Sequence, residues 1–398
     1  MTAEIRCGPL RPLISAPKLN PMIQLPSEFD DIRPYYDTEI PAAMERMASD
    51  PLLTPALRFF DDQLDVDAFR MRLRRIKTID QFQTKIMVPL CTALVAKTMT
   101  EFTASGAEHV DPSYGSLYVS NHRDIVMDAY LHQIVLKQHR IPTCHITFGS
   151  NLMNPQFVVD FGMSNKMFRT DRKSSNVRSF LRSSKHLSAY INYVVPHGES
   201  LWIAQRNGRT KDGRDHTEPG LIRMLLMNGN RKAQVEALHI TPLSISYQWE
   251  PCDILKAVER YRTLDGQPYV KAPGEDLQSI ITGITQPKGR VHLAFGRPVD
   301  VSAFSDPLKR EDISAIATQI DAQVWSGYRL WDTNYVAFDL LNGTRRFAGC
   351  YDPAVREQFI AKMEHDIAVY PSLDADKLRE LFLKIYAGPV YDHPGTLR

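Results

Sequence analysis

An α/β fold, built on a mostly parallel sheet covered by helices, is what three features of the 398-residue sequence predict. Apolar runs of strand length at 115–120, 143–149, 200–205 and 237–247 alternate with runs of helical period at 124–138, 174–193 and 219–229, the order that generates strand–helix–strand crossovers. With 43% hydrophobic and 24% charged residues, the chain has the composition of a globular protein with a sizeable core. Helical patterning also flanks the alternating region, at 40–100 and near 308–326, 354–368 and 375–386.

The elements follow in order. Residues 1–38 carry Pro9, Pro12, Pro17, Pro21, Pro26 and Pro34 and predict an extended arm. Residues 39–100 predict a helical platform. Within it, 64–85 interleaves Phe69, Met71, Leu73, Ile76, Ile79 and Phe82 with Arg70, Arg72, Arg74, Arg75, Lys77 and Lys85. That pattern reads either as a basic amphipathic surface for anionic headgroups or as a core-packing helix whose arginines reach into water. Residues 101–300 hold the alternating region and, beyond loops at 264–275 and 283–290, a further strand-like run at Val291–Phe295. Residues 301–398 form a C-terminal helical extension with no chemistry assigned.

Charge is uneven along the chain. The whole sequence sums to +2, yet residues 165–214 alone hold eleven Lys/Arg against three acids. Such a concentration attracts an anion, and arginine forks suit phosphate oxygens. Arg178, Arg182 and Lys185 read as a solvated helix face; Arg169, Arg172, Arg206 and Arg209 abut strand-like runs and are the phosphate candidates. Near-zero total charge and the lack of a binding motif argue against nucleic acid. The five cysteines, Cys7, Cys91, Cys144, Cys252 and Cys350, are scattered and odd in number, the pattern of reduced thiols in a cytoplasmic protein. No signal-like apolar stretch opens the sequence, and the run at 86–96, interrupted by Pro89, falls short of the ~20 residues a spanning helix needs. Attachment to a membrane would therefore be peripheral.

The chemistry points to residues 118–128, Tyr-Val-Ser-Asn-His-Arg-Asp-Ile-Val-Met-Asp. His122 stands where a buried strand gives way to a helix, with Asp124 and Asp128 downstream. A carboxylate that fixes the imidazole tautomer makes such a histidine a general base for a hydroxyl. Ligands of parallel sheets bind outside the carboxyl ends of the strands, which is where His122 falls.

This segment resembles the Ser-Asn-His box of the phospholipid/glycerol acyltransferases, the glycerol-3-phosphate and 1-acylglycerol-3-phosphate acyltransferase-like family. That family places four residues between histidine and aspartate; five lie between His122 and Asp128. A turn before the helix would absorb the extra residue, whereas a histidine inside the helix would leave Asp128 rotated by about 100°. Asp128 is preferred as the orienting acid and Asp124 stays open. Three later segments resemble the remaining boxes in the family's order: Lys166–Lys173 with Arg169 and Arg172; Trp202–Gly213 with Arg206, Gly208 and Arg209 but without the usual glutamate; and His239–Tyr247 with Pro242 in an apolar strand.

The resemblance implies acyl transfer from a thioester, acyl-CoA or acyl carrier protein, to a hydroxyl of glycerol 3-phosphate or its 1-acyl derivative in phospholipid synthesis. His122 would act as base and Asp128 as orienter, with backbone N–H groups at the following helix start as oxyanion candidates and the arginines, Gly208 and Pro242 forming the acceptor site. No metal or other cofactor is implied, and the surroundings would be cytoplasmic, peripheral on the inner face of the membrane.

A non-catalytic lipid-binding protein that keeps the fold is the alternative, suggested by the altered spacing and the missing glutamate. Two other readings fail. His122-Arg123-Asp124 and Asp160-Phe161-Gly162 spell kinase tripeptides, but Ala129 stands where the kinase loop needs asparagine and no glycine-rich loop precedes them. A serine hydrolase would need a Gly-x-Ser-x-Gly elbow, which is absent. Cys144 and His145 adjoin, but neighbouring strand residues face opposite ways.

Overall fold

A computed structural model of the chain describes residues 5–6, 22–171, 176–264, 266 and 269–397. Helices α1 (Ile40–Ser49), α2 (Leu53–Phe60), α3 (Val66–Arg74), α4 (Ile79–Phe82) and α5 (Val88–Thr98) lead into the sheet region. After the two-residue β1 (Ile5–Arg6), the sheet takes β2 (Met99–Ser105), β3 (Leu117–Ser120), β4 (His145–Gly149), β5 (Met167–Thr170), β6 (Leu201–Ala204), β7 (Thr241–Tyr247) and β8 (Gly289–Phe295). Between the strands lie α6 (Met127–Gln138), α7 (Gln156–Met163), α8 (Val177–Val194), α9 (Pro219–Leu225), α10 (Lys232–Leu238), α11 (Asp253–Tyr261) and α12 (Glu275–Thr285). The chain ends on α13 (Arg310–Gly327), α14 (Asp332–Asn342), α15 (Pro353–Ala368) and α16 (Ala375–Asp392).

The strand order is β1-β2-β8-β7-β3-β6-β4-β5. Strands β3 to β7 are mutually parallel; β8 runs antiparallel to β7 and parallel to β2, and β1 pairs antiparallel with β2 at one edge. This is the mostly parallel, helix-covered sheet predicted above. At the other edge the Arg169 amide donates to the Ile32 carbonyl at 2.8 Å, so the arm covers an otherwise open strand.

Alternation along each strand splits the core into two layers. Leu117, Val119, Leu201 and Ile203 face α8, α9, α10 and α13, with Phe29 and Ile32 of the arm. Tyr118, Trp202, Leu243, Ile245 and Tyr247 face α5 and α6. Helices α1 to α5 pack onto Tyr130 and Ile134 of α6. In the 64–85 segment Leu73, Ile76, Ile79 and Phe82 are buried, Arg70 pairs with Asp67 and Arg74 with Glu45, so that helix packs inward; Met71 is its exposed apolar residue. The boundary placed at residue 300 needs correction. Ile316, Ile320 and Val324 of α13 belong to the sheet's own core, whereas α11, from before that boundary, packs with α14, α15 and α16. No helix among the described residues is long and apolar enough to cross a membrane.

One close approach ties the C-terminal helices to the sheet's carboxyl edge. Gly213 has φ +70°, and a Cβ there would collide with the Ile385 carbonyl of α16, while Gly388 presses against the same turn. Gly213→Ala should lower the denaturant midpoint by the equivalent of about 1–3 kcal/mol, from backbone strain and overpacking together; an unchanged midpoint would show that the turn is free to move.

Candidate active site

His122 lies in the turn 121–126, beyond the end of β3 and before Met127 opens α6. Its Nδ1 is 2.9 Å from Asp128 Oδ2, and Asp128 stands in the first turn of α6. The same carboxylate oxygen accepts the amides of Arg123 at 2.6 Å and Asp124 at 2.9 Å, while Asp128 Oδ1 accepts the Tyr247 hydroxyl at 2.8 Å. Four donors thus converge on one carboxylate. Because Asp128 only accepts in this arrangement, Nδ1 is the donor to it, and Nε2, with no hydrogen bond among the described residues, is the ring nitrogen left for a substrate.

Asp124 does something different. Its Oδ1 accepts the amides of Val126 at 2.8 Å and Met127 at 2.7 Å, an Asx-type turn that starts α6, and its Oδ2 is buried without a partner. The amides of residues 123, 124, 126 and 127 are therefore all taken by Asp128 or Asp124. Of the amides just after His122, that of Ile125 stays as the oxyanion candidate, with no hydrogen bond among the described residues. Beside Asp124 sits Lys288, whose amine is pulled down to about 8 by burial, against the opposing pull of Asp124 and Cys252.

Two anchors set the turn's position. Asn121 donates to the Ile245 carbonyl at 2.9 Å and accepts the Ile245 amide at 2.8 Å, locking the turn to β7. Arg123, fully buried, donates to the Gly213 carbonyl at 3.1 Å, pairs with Asp215 and lies 3.3 Å from Glu250, with its guanidinium 4.9 Å above the Tyr328 ring. Glu250 in turn holds buried Lys256 at 2.6 Å. Burial alone would pull the Arg123 pKa down; Asp215, Tyr328 and Glu250 raise it well above the ordinary value.

The loop after β6 runs alongside. The Thr210 amide donates to the His122 carbonyl at 2.9 Å, so Gly208 (φ +76°) and Arg209 are held next to the histidine's backbone. Arg209 is buried with Nη1 unpartnered; Arg206 donates weakly to the Arg214 carbonyl at 3.4 Å and leaves Nε unpartnered. Gln205, at the end of β6, is fully buried with neither carboxamide atom bonded. Over this edge lies α12. Its Asp276 is bonded to Asn151 beyond β4 at 2.9 Å, and its Gly283 sits so close to Asp124 Oδ2 that a Cβ would overlap it. His122 is left 6% exposed.

The other candidates fall elsewhere. Arg169 lies in the same transverse row as Ser120 but three strands away, about 14 Å at ordinary strand spacing, and is exposed and paired with Asp171. Arg172 lies outside the described residues. Pro242 pairs with Val119 inside the sheet, buried, its carbonyl taken by the Gly296 amide at 2.8 Å; lacking an N–H, it suits the start of a strand. Sequence reasoning assigned no role to Arg123, Tyr247, Asp215 or Glu250. Asp215, Tyr247 and Glu250 lie from 92 to 127 residues along the chain from Arg123 or Asp128, which leaves no local pattern to read.

Residues 101–246 match the protein-family model described as Acyltransferase. The likeness to that family lies in this central span of the chain. The matched span opens inside β2, contains the His122 turn and the Arg206–Gly213 loop, and closes in β7, so the family region coincides with the central sheet. Among solved structures, the 1-acyl-sn-glycerophosphate (LPA) acyltransferase PlsC from Thermotoga maritima aligns over 71% of this chain and 91% of that chain, at 14% identity and a TM-score of 0.35. None of the curated proteins matches.

Proposed function

We propose that the chain transfers a fatty acyl group from acyl-CoA or acyl carrier protein to a hydroxyl of glycerol 3-phosphate or 1-acylglycerol 3-phosphate. The observation that carries this reading is the His122–Asp128 pair, with Nε2 unbonded beside the loop that bears Arg206 and Arg209. In the forward step His122 Nε2 takes the acceptor's hydroxyl proton as the oxygen bonds to the thioester carbonyl carbon. Collapse of the tetrahedral intermediate breaks the C–S bond, and the proton passes from His122 to the leaving thiolate. Asp128 holds the ring and offsets the charge of the transient imidazolium.

Arg206 and Arg209, in the loop beside this turn, each carry a guanidinium N–H left unpartnered among the described residues, which suits the phosphate of the acceptor. Fixing that phosphate turns remote binding into orientation of the hydroxyl. A lipid product suits an enzyme that works peripherally at a membrane surface, on its cytoplasmic side.

The purified chain, given both thioester types and a panel of glycerol acceptors with products identified by mass, tests the assignment. Acylation of phosphorylated glycerols supports it; transfer to unphosphorylated or nitrogen acceptors alone overturns it. Arg209→Ala should raise KM for the phosphorylated acceptor about tenfold to a hundredfold, the range of a lost charge-assisted hydrogen bond, and leave an unphosphorylated analogue little changed. Equal losses with both acceptors would make Arg209 structural.

A further inference from the structure

We infer that the first half of α8 is the surface by which the protein docks on an anionic lipid bilayer, an inference that rests on the acyl-transfer reading for its biological sense. The buried residues of α8, Ser188, Tyr190, Ile191 and Val194, all lie in its second half. From Val177 to Lys185, about 14 Å of helix, no side chain is buried, and Leu187 is the first apolar residue of the helix to pack against the core.

That stretch nonetheless carries large apolar groups. Val177 is 73% exposed, Phe180 53% and Leu181 49%, positions that share one helix face. On the adjoining face of the helix lie Arg178, Arg182 and Lys185, and the whole helix contains no acid. None of these three cations has an ion-pair partner among the described residues. The nearby acids are engaged elsewhere, Asp31 by His186 and Asp171 by Arg169. Exposed apolar side chains flanked by uncompensated cations match the layered chemistry of a membrane surface, phosphate outside and acyl chains beneath.

Topology gives the face its direction. Because β5 is parallel to β3 and α8 returns the chain to the start of β6, the first half of α8 stands at the carboxyl edge, the edge at which His122 and the Arg206–Gly213 loop lie. Docking through Phe180 and Leu181 would turn the site toward the bilayer that holds a lipid acceptor and receives the product.

Sedimentation of the full chain with vesicles tests this, using phosphatidylcholine alone and phosphatidylcholine with a third of phosphatidylglycerol. The wild type should bind the anionic vesicles preferentially. The double variants Phe180→Asp/Leu181→Asp and Arg178→Glu/Arg182→Glu should each weaken that binding roughly tenfold or more. Both should keep the wild-type circular dichroism and the wild-type rate on a water-soluble short-chain acceptor without vesicles. Equal sedimentation of wild type and variants, or no binding by the wild type, overturns the inference; so does a wild-type dimer that the variants dissociate, which would make the face a contact between copies. Loss of acyl transfer to every acceptor with vesicle binding intact would instead refute the catalytic reading and leave the docking surface standing.

Discussion

His122→Ala should lower turnover of acyl transfer by about 10²–10⁴-fold, the range a positioned general base supplies, with little change in KM for the acceptor. The side chain's hydrogen bond is the one to Asp128, and that carboxylate retains three other donors, so the cavity should not unravel the turn. Asp128→Asn should cost a comparable factor by a different route. An asparagine whose Oδ1 replaces the present Oδ2 still accepts from His122, Arg123 and Asp124, and its amide faces a Tyr247 hydroxyl that can accept instead of donate. Geometry is kept; the charge that offsets the imidazolium is gone. Asp124→Asn keeps the oxygen that accepts Val126 and Met127, so its effect on turnover should be the smaller one. Steady-state kinetics of the three variants on one acceptor decide the matter. Larger loss at Asp124 than at Asp128 would give the orienting role to Asp124, transfer that survives in His122→Ala would take the base role from His122, and no transfer by the wild type would favour a chain that binds lipid without acylating it.

Much of the site's framework was legible because it is local. A run of apolar residues ending at Ser120, followed by polar residues and a helical period from Met127, dictates a strand, a turn and a helix, and the turn is what lets an extra residue sit between His122 and Asp128. Since α6 begins five residues past the histidine, the added residue lengthens the turn and does not rotate Asp128 away from the ring. The strands β3, β4, β6, β7 and β8 all fall within or beside apolar runs for the same reason. Strand β2, Met-Thr-Glu-Phe-Thr-Ala-Ser, is half polar and escaped notice; its partner β8 and the helices on one face create its burial.

What was not legible depends on long-range packing. Pro242 stands in an apolar strand whichever way that strand faces, and its pairing with Val119 in the middle of the sheet depends on residues far away in the chain. Helix α12 was invisible as a cover on the site because it packs through Ser279 and Gly283, small residues that no hydrophobic period would single out. The basic count in 165–214 correctly flags a charged region but averages over different environments: Arg209 is buried in the loop beside His122, while Arg169 is exposed three strands away.

The largest expected effect on stability belongs to Arg123, a residue whose sequence context suggested nothing more than a kinase tripeptide. Arg123→Met should destabilise the fold by about 3–5 kcal/mol, because a buried carboxylate that loses its partner costs far more than a surface pair returns. The guanidinium now joins Asp215 and the Gly213 carbonyl, from the loop after β6, to Glu250 beyond β7, and is itself fully buried. Glu250 would still have Lys256 at 2.6 Å; Asp215 would be left with the Asn121 amide alone among these donors. The double variant Arg123→Met/Asp215→Asn should therefore be more stable than Arg123→Met, since it removes the uncompensated charge, whereas Asp215→Asn alone should destabilise. Arg123→Lys should rescue poorly, as one ammonium does not reproduce a fork that reaches Asp215 and Glu250 together. Urea midpoints for the four proteins test the sign of the coupling, and an additive cycle would mean that the pair is not the source of the cost. Because residues 122 and 124 take their backbone positions from either side of Arg123, the double variant should recover stability without recovering turnover, separating the arginine's effect on the fold from its effect on the histidine's aim.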